Sequence, residues 1–206
     1  MALRTTVKIS NVTNLSDARY CAGMGVDLLG FSMDPDSPDY VEPARFAEMR
    51  GWVAGVHIVG ETHSDDPNAI EAMLDTYQPD VLQVDESALL PYLSTFGKPL
   101  ILRIELVGTT LAQLDTLANT DLPGIDYLLL ESQSPLHLDD ELIASLTHLA
   151  RRHALLLGVG ITPEGIHSLL DTLPIAGVAL TGGNEERPGS KDFGALMDVL
   201  EAIEEE

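Results

Sequence analysis

Positively charged residues are scarce in this chain of 206 residues. There are 11 lysines and arginines against 33 aspartates and glutamates, which gives a net charge of −22 with neutral histidines. Nucleic acids and anionic membrane surfaces are recognised through clusters of basic side chains. The composition therefore predicts that neither is a partner, and most of the acidic residues are expected to form a solvated surface.

The chain also has little cysteine and no long apolar segment. Its single cysteine, Cys21, excludes an internal disulfide bond and a cysteine-based metal cluster. No apolar run approaches the ~20 residues of a membrane-spanning helix, and the N-terminus has no signal-peptide pattern. Cys21 is expected to be a small buried core thiol, and the protein to be cytoplasmic.

Short apolar runs alternate with longer amphipathic segments along the whole chain. The apolar runs predict eight strands: Val7–Ser10, Leu28–Phe31, Val53–Val59, Val81–Val84, Leu100–Glu105, Tyr127–Leu130, Leu155–Gly158 and Gly177–Leu180. The segments between them predict eight helices: Leu15–Met24, Pro43–Arg50, Pro67–Tyr77, Ala88–Phe96, Leu111–Ala118, Asp140–Arg152, Pro163–Leu173 and Phe193–Glu204. Asn14 or Ser16 is expected to cap the first helix, and Pro43, Pro67 and Pro163 fit first-turn positions.

The alternation of strands and helices predicts the architecture. Continuous apolar strands are buried on both faces, which is typical of parallel sheets, and eight strand–helix units are the number that closes a barrel. We predict an α/β protein in which residues 1–206 form a single (β/α)8 barrel domain. The alternative, an open doubly wound sheet, calls for a glycine-rich loop after the first strand, and Ser10-Asn11-Val12-Thr13 is not one.

Polar residues follow the predicted strands, where the active face of a barrel lies. Ser10 ends the first strand, and acidic residues end the third to sixth strands. They form either a functional acidic pocket or a solvated rim. A divalent metal is a further alternative, although no ligand spacing supports it; its oxygen-rich candidates are His63, Asp65, Asp85, Glu86, Glu105 and Glu131.

The loops after the seventh and eighth strands contain glycines instead of acidic residues. Gly158 and Gly160 precede a predicted helix, and Gly182 and Gly183 follow the last strand. Glycines let a phosphate approach backbone N–H groups, and a helix N-terminus adds positive potential. These four glycines are therefore candidate phosphate-binding residues. The alternative is that they only form tight turns.

Several motifs resemble those of the phosphoribosylanthranilate isomerases, the (β/α)8 enzymes of tryptophan biosynthesis. The segment from Val7 to Thr13 is similar to the family's Val-Lys-Ile-Cys-Gly-Ile-Thr start, and Ser37-Pro38-Asp39-Tyr40-Val41 is similar to its Ser-Pro-Arg-Tyr-Val loop. The stretches 160–164 and 188–192 resemble its seventh and eighth loops. The resemblance implies an Amadori-type isomerisation of an aminoaldose phosphate and binding of the substrate phosphate at the last two loops.

The resemblance also implies site residues, several of which differ from the family pattern. Ser10 stands where the family has its catalytic Cys base, with no adjacent base evident to activate it, and Glu131 stands where the family has its Asp acid. Asp39 replaces the Arg that contacts anthranilate, and Gln83-Val84-Asp85-Glu86 replaces Gln-Leu-His-Gly. Residues 132–136 replace a glycine-rich loop after the sixth strand. We take Ser10 and Glu131 as the catalytic candidates, and as substrate-binding candidates Asp39, Gln83, Asp85 and Arg103.

These substitutions predict a divergent member of the family. The first hypothesis is an isomerase acting on a small phosphorylated metabolite, with diverged or impaired activity on phosphoribosylanthranilate. The second is a non-catalytic barrel that binds a metabolite or a partner protein, and the third is the metal-dependent enzyme described above. We expect no cofactor, and either a monomer or a homodimer.

Overall fold

The computed structural model describes residues 2–181, 185–187, 190–191 and 194–204, and it confirms the predicted (β/α)8 barrel. Eight parallel strands close the barrel in chain order: β1 Thr6–Ser10, β2 Leu28–Ser32, β3 His57–Glu61, β4 Val81–Val84, β5 Leu100–Glu105, β6 Ile125–Glu131, β7 Leu155–Leu157 and β8 Gly177–Thr181. A small antiparallel pair, β9 Glu185–Arg187 and β10 Ser190–Lys191, follows them.

Helices follow the barrel strands, and their bounds are α1 Leu15–Gly23, α2 Pro43–Arg50, α3 Pro67–Tyr77, α4 Leu90–Leu93, α5 Leu111–Ala118, α6 Asp140–Ala150, α7 Ile166–Thr172 and α8 Gly194–Ala202. Asn14 caps α1 by accepting a hydrogen bond from the Asp17 backbone N–H at 3.0 Å. Pro43 and Pro67 occupy first turns as predicted, but Pro163 lies in the turn before α7. The predicted helix 88–96 is broken, because 3-10 turns flank the short α4 on both sides.

The barrel closes where β1 pairs with β8. The parallel register runs from Thr6 opposite Gly177 to Ser10 opposite Thr181. A Cβ at position 177 would lie 2.2 Å from the carbonyl oxygen of Thr6, so only glycine allows the two strands to approach this closely. The closure brings the C-terminal ends of the first and last strands together on one face of the barrel.

The core has two layers, which explains why the strands are apolar on both faces. Inside the barrel, a cluster of buried side chains from seven strands packs together: Leu28, Val59, Val81, Ile101, Leu129, Leu156 and Ala179. A larger layer fills the space between strands and helices, and there Phe46 makes edge-to-face contacts with Phe31 of β2 and Tyr77 of α3. Cys21 is buried in this outer layer, and burial raises the pKa of its thiol to about 12.

The third strand begins later than the sequence predicts. The apolar residues Val53 and Val56 precede it, but Gly55 between them has a φ of +80°, which is incompatible with a continuous strand. β3 therefore starts at His57 and extends to Glu61, which brings Glu61 into register with Ser32 and Gln83 at the ends of the neighbouring strands.

Among the described helices, none has the length and apolar character that crossing a bilayer requires.

Candidate active site

A cavity of about 760 Å³ opens at the C-terminal ends of the barrel strands. Because parallel strands present their carboxyl ends to one face, side chains far apart in sequence meet here. Most of the predicted site residues line the cavity: Ser10, Asp39, Gln83, Arg103, Glu131, Gly158 and Gly160. Asp85 lies directly behind Arg103, and Gly182 and Gly183 lie outside the described residues.

Ser10 and Glu131 form a direct hydrogen bond. The Ser10 hydroxyl donates to Glu131 Oε1 at 2.9 Å, and the Lys8 ammonium donates to Ser10 Oγ at 2.6 Å. The expectation that no base lies beside Ser10 is therefore wrong. Strand pairing brings β1 and β6 residues to the same end of the barrel, where the glutamate reaches across to the serine.

Lys8 is the residue of this site that the sequence analysis missed. It is fully buried and lies level with Leu28 and Ala179 of the barrel interior. Its ammonium forms an ion pair with Glu61, which is itself 3 % exposed. The alternation of side chains along a strand was the available signal, since it places Lys8 on the same face as Ser10.

The position of Glu61 depends on two backbone features. A Cβ at Gly30 would lie 2.0 Å from Glu61 Oε1, so the missing side chain of glycine provides the space for the carboxylate. Glu61 Oε2 also accepts a hydrogen bond of 3.1 Å from the backbone N–H of Asn11. Asn11 has a φ of +57°, a conformation that asparagine tolerates better than most residues. Glu61 is therefore held by both an ammonium and a backbone donor.

Arg103 links the carboxylates that follow β4, β5 and β6. Its guanidinium donates to Glu131 Oε2 at 2.9 Å, to Asp85 Oδ2 at 3.1 Å and to Glu105 Oε2 at 3.2 Å. Burial lowers the pKa of Arg103, but these three carboxylates outweigh burial and raise it overall. The acidic residues thus surround a permanent cation, and Glu131 is oriented from both of its oxygens.

This arrangement leaves the metal hypothesis without support. Within the described ranges, no three His, Cys, Asp or Glu side chains converge as metal ligands do. Asp85, Glu105 and Glu131 point instead at the guanidinium of Arg103. Glu86 turns away and caps its own 3-10 turn by accepting from the backbone N–H of Ala88 at 3.0 Å.

His63 extends the polar network towards the rim of the cavity. Its Nδ1 lies 2.6 Å from Asp85 Oδ2, and its side chain is about half exposed. The hydrogen bond to Asp85 is the main reason that the pKa of His63 is raised, while burial opposes the shift. The imidazole is therefore charged over a wider pH range than a free histidine.

Two buried acceptor atoms near the end of β4 have no partner among the described residues. Gln83 is 3 % exposed, and its Oε1 accepts no hydrogen bond from any residue that the structure describes. Oδ1 of Asp85 also accepts no hydrogen bond from a described residue. Oδ2 of that carboxylate, by contrast, contacts Nδ1 of His63 and accepts a hydrogen bond from the guanidinium of Arg103. Buried acceptors without donors are rare in folded proteins, and each one calls for an explanation.

The glycines of the seventh loop make room for neighbouring side chains. A Cβ at Gly158 would lie 2.8 Å from Cγ of Glu131, and one at Gly160 would lie 2.5 Å from Cδ1 of Leu138. Gly160 also has a φ of +69°. Both glycines line the cavity together with Thr162. They can therefore make room for neighbouring side chains and still be available to a phosphate. Among the described residues, this side of the cavity has no acidic side chain apart from Glu131.

Known proteins resemble this chain over nearly its whole length. Residues 7–202 match the family model of N-(5'phosphoribosyl)anthranilate (PRA) isomerase. The N-(5'-phosphoribosyl)anthranilate isomerase of a Synechococcus strain is 29% identical over 97% of this chain and 91% of its own length.

Solved structures show the same fold. Monomers generated from the dimeric phosphoribosylanthranilate isomerase of Thermotoga maritima superpose with a TM-score of 0.76, at 23% identity, over 97% of this chain and 98% of that one. A phosphoribosylanthranilate isomerase in complex with reduced 1-(o-carboxyphenylamino)-1-deoxyribulose 5-phosphate gives a TM-score of 0.77 at 23% identity, with the same coverage of both chains. Together with the match to the family model, these likenesses confirm the resemblance seen in the sequence. The chain belongs to the N-(5'-phosphoribosyl)anthranilate isomerase family.

Proposed function

We propose that this protein is an isomerase that converts a phosphorylated N-ribosyl amine into the corresponding 1-amino-1-deoxyketose phosphate. The observation that carries the proposal is the hydrogen bond of 2.9 Å between Ser10 and Glu131 at the mouth of the barrel. It supports proton transfer at the position where family members act, although the residues there differ. We further propose that activity on phosphoribosylanthranilate itself is impaired.

Glu131 serves as the proton carrier of the reaction. In its protonated form it gives a proton to the ribose ring oxygen, and the bond from that oxygen to C1 breaks to leave an iminium ion. The resulting carboxylate removes the proton from C2, which forms an enaminol. The same proton is returned to C1, and the ketose forms as the enol hydroxyl loses its proton to solvent. Glu131, left as a carboxylate, takes up a proton from solvent before the next cycle. One carboxylate can therefore act as both acid and base.

Ser10 orients Glu131 and connects it to Lys8. Lys8 donates to Ser10 and Ser10 donates to Glu131, so the hydrogen bonds run in one direction from the ammonium to the carboxylate. These hydrogen bonds fix the position of the Glu131 carboxylate relative to β1. A serine hydroxyl, unlike a cysteine thiol, does not ionise readily, so Ser10 is not expected to act as the base that removes the C2 proton.

The substrate phosphate is proposed to bind on the side of β7 and β8. Gly158, Gly160 and Thr162 line that side, away from the carboxylates that surround Arg103. Gly182 and Gly183 remain candidates from the sequence. This placement sets the sugar carbons over the centre of the barrel, near Glu131, with the amine substituent towards β2 to β4.

Turnover of phosphoribosylanthranilate tests this function, followed through the loss of substrate fluorescence. We expect slow turnover by the wild type, a gain for Ser10→Cys, which restores an ionisable group, and loss of activity for Glu131→Gln. Asp75→Asn, a change on an exposed part of α3, is the matched control and should behave like the wild type. If Glu131→Gln kept the wild-type rate, Glu131 would not be the proton carrier. Rapid wild-type turnover would contradict impaired activity.

A further inference from the structure

The wall of the cavity between β2 and β5 is strongly acidic. Asp39 lines it at the position where the family motif has an arginine, and Glu61 lies nearby at the end of β3. The permanent cations of this part of the described structure are Lys8 and Arg103, and both are already paired with carboxylates. Two cations therefore stand against five carboxylates, which are the four that pair with them and Asp39: Asp39, Glu61, Asp85, Glu105 and Glu131.

Among the described residues of this wall, each cationic group is already paired with a carboxylate: Lys8 with Glu61, His63 with Asp85, and Arg103 with three carboxylates. To pair with Arg103, a substrate carboxylate would join three carboxylates that already surround the guanidinium, or displace one of them and leave that group without its cation. Like charges brought together at a binding site oppose association, and more strongly where solvent is excluded. The anthranilate group of the family's substrate carries an ortho carboxylate, and binding of that group is therefore disfavoured here.

The unpartnered acceptor of Gln83 shows what is favoured instead. Gln83 lines the cavity with a buried Oε1, which receives no hydrogen bond from a described residue. Asp85 Oδ1 is also buried without a donor among the described residues, but it lies behind Arg103 and outside the cavity lining. Gln83 is the penultimate residue of β4, on the acidic side of the cavity. A ligand that brings an N–H donor to this point satisfies Gln83 Oε1, whereas a carboxylate brings only further acceptors to that atom.

From the acidic wall and the unpartnered acceptor of Gln83, we infer that the substrate is a phosphorylated N-ribosyl amine whose amine substituent is uncharged or cationic and donates hydrogen bonds, as a carboxamide or amidine does. This inference rests on the proposed function for the sugar phosphate and the reaction. It concerns the substituent that the protein selects. A carboxamide in place of the ortho carboxylate keeps the shape of the group, removes its charge and adds two N–H donors.

Binding of two matched ligands tests the inference without requiring turnover. The first is reduced 1-(o-carboxyphenylamino)-1-deoxyribulose 5-phosphate and the second is its o-carbamoyl counterpart, each titrated calorimetrically into the wild-type protein. We expect the carbamoyl ligand to bind at least about tenfold more tightly at low ionic strength. The ratio should shrink as salt is added, because salt screens the repulsion of the carboxylate. Equal affinities, tighter binding of the carboxylate, or no binding of either ligand would overturn the inference.

Variants identify the residue responsible. Asp39→Arg should reverse the preference towards the carboxylate ligand, while Asp36→Asn, an exposed aspartate of the same loop, should leave the ratio as in the wild type. An unchanged ratio in Asp39→Arg would contradict a role for Asp39. Turnover of N-(5-phosphoribosyl)-2-aminobenzamide separates the two proposals. If the carbamoyl ligand binds preferentially and neither substrate is isomerised, the proposed function fails while the selectivity stands.

Discussion

Lys8 shows how much depends on one buried side chain. Its charge is balanced by Glu61 inside the barrel, where both groups are almost completely shielded from water. Breaking a buried ion pair from one side leaves an uncompensated charge, whereas replacing both partners with apolar groups is often neutral. The same lysine also holds Ser10, so its removal affects both stability and the site.

We predict that Lys8→Met lowers the free energy of unfolding by about 3–5 kcal/mol, because Glu61 then stays buried without a cation. The double variant Lys8→Met with Glu61→Leu should recover most of that loss. Urea unfolding of the wild type, both single variants and the double variant measures the coupling. The exposed pair of Arg4 and Asp171 provides the control, since Asp171→Asn should cost less than about 1 kcal/mol. Additive effects of the two core changes would show that the pair is not coupled.

Residues of the site were predictable to different degrees. Ser10, Gln83, Arg103 and Glu131 could be assigned to the active face because each lies at or near the end of an apolar strand. Their partners could not, because the Ser10–Glu131 contact joins positions 121 residues apart and depends on how β1 and β6 are arranged around the barrel. No role was predicted for Lys8, and charged side chains are seldom fully buried.

At the scale of the elements, helices and strands were both predictable from the sequence, and the bounds of α2, α3 and α5 agree with the prediction. The bounds of β4 and β5 agree with the sequence prediction, because continuous apolar runs identify buried strands. The helix predicted over 88–96 failed because Pro91 removes a backbone donor and Gly97, with a φ of +66°, ends the segment. The gaps left by glycines inside strands could not be predicted, because only packing shows which side chain fills each gap.

A substitution at Gly158 tests whether the space left by a glycine is needed by a neighbouring side chain. Gly158→Ala places a Cβ 2.8 Å from Cγ of Glu131 and 3.2 Å from the carbonyl oxygen of Leu130, so the glutamate must move. We predict a loss of isomerase activity of about tenfold to a hundredfold, because small displacements of reacting groups are costly. Gly23→Ala at the end of α1 meets no atom within 4 Å and should stabilise the protein by up to about 1 kcal/mol without changing activity. Steady-state kinetics and urea unfolding measure the two effects. Unchanged kinetics in Gly158→Ala would show that Glu131 tolerates the shift.

At the scale of the whole molecule, repulsion between carboxylates opposes folding. With 33 acidic and 11 basic residues, most carboxylates have no cation to pair with. Compaction brings these charges closer together, and the resulting self-repulsion is long-ranged and exposed to solvent. Added salt shortens the range of the repulsion, from about 30 Å at 0.01 M to about 8 Å at 0.15 M.

We therefore predict that the melting temperature rises by several degrees between 0.01 M and 0.3 M sodium chloride, since a change of 1 kcal/mol corresponds to about 2–4 °C in a chain of this size. Thermal unfolding followed by circular dichroism measures the shift. Tetramethylammonium chloride is the matched salt: it screens charge equally but is a poor ligand for carboxylates. Equal shifts in both salts support general screening, and a shift with sodium alone indicates a bound cation. A lower melting temperature in both salts would mean that attractive pairs, such as those around Arg103, outweigh the repulsion between the surface carboxylates.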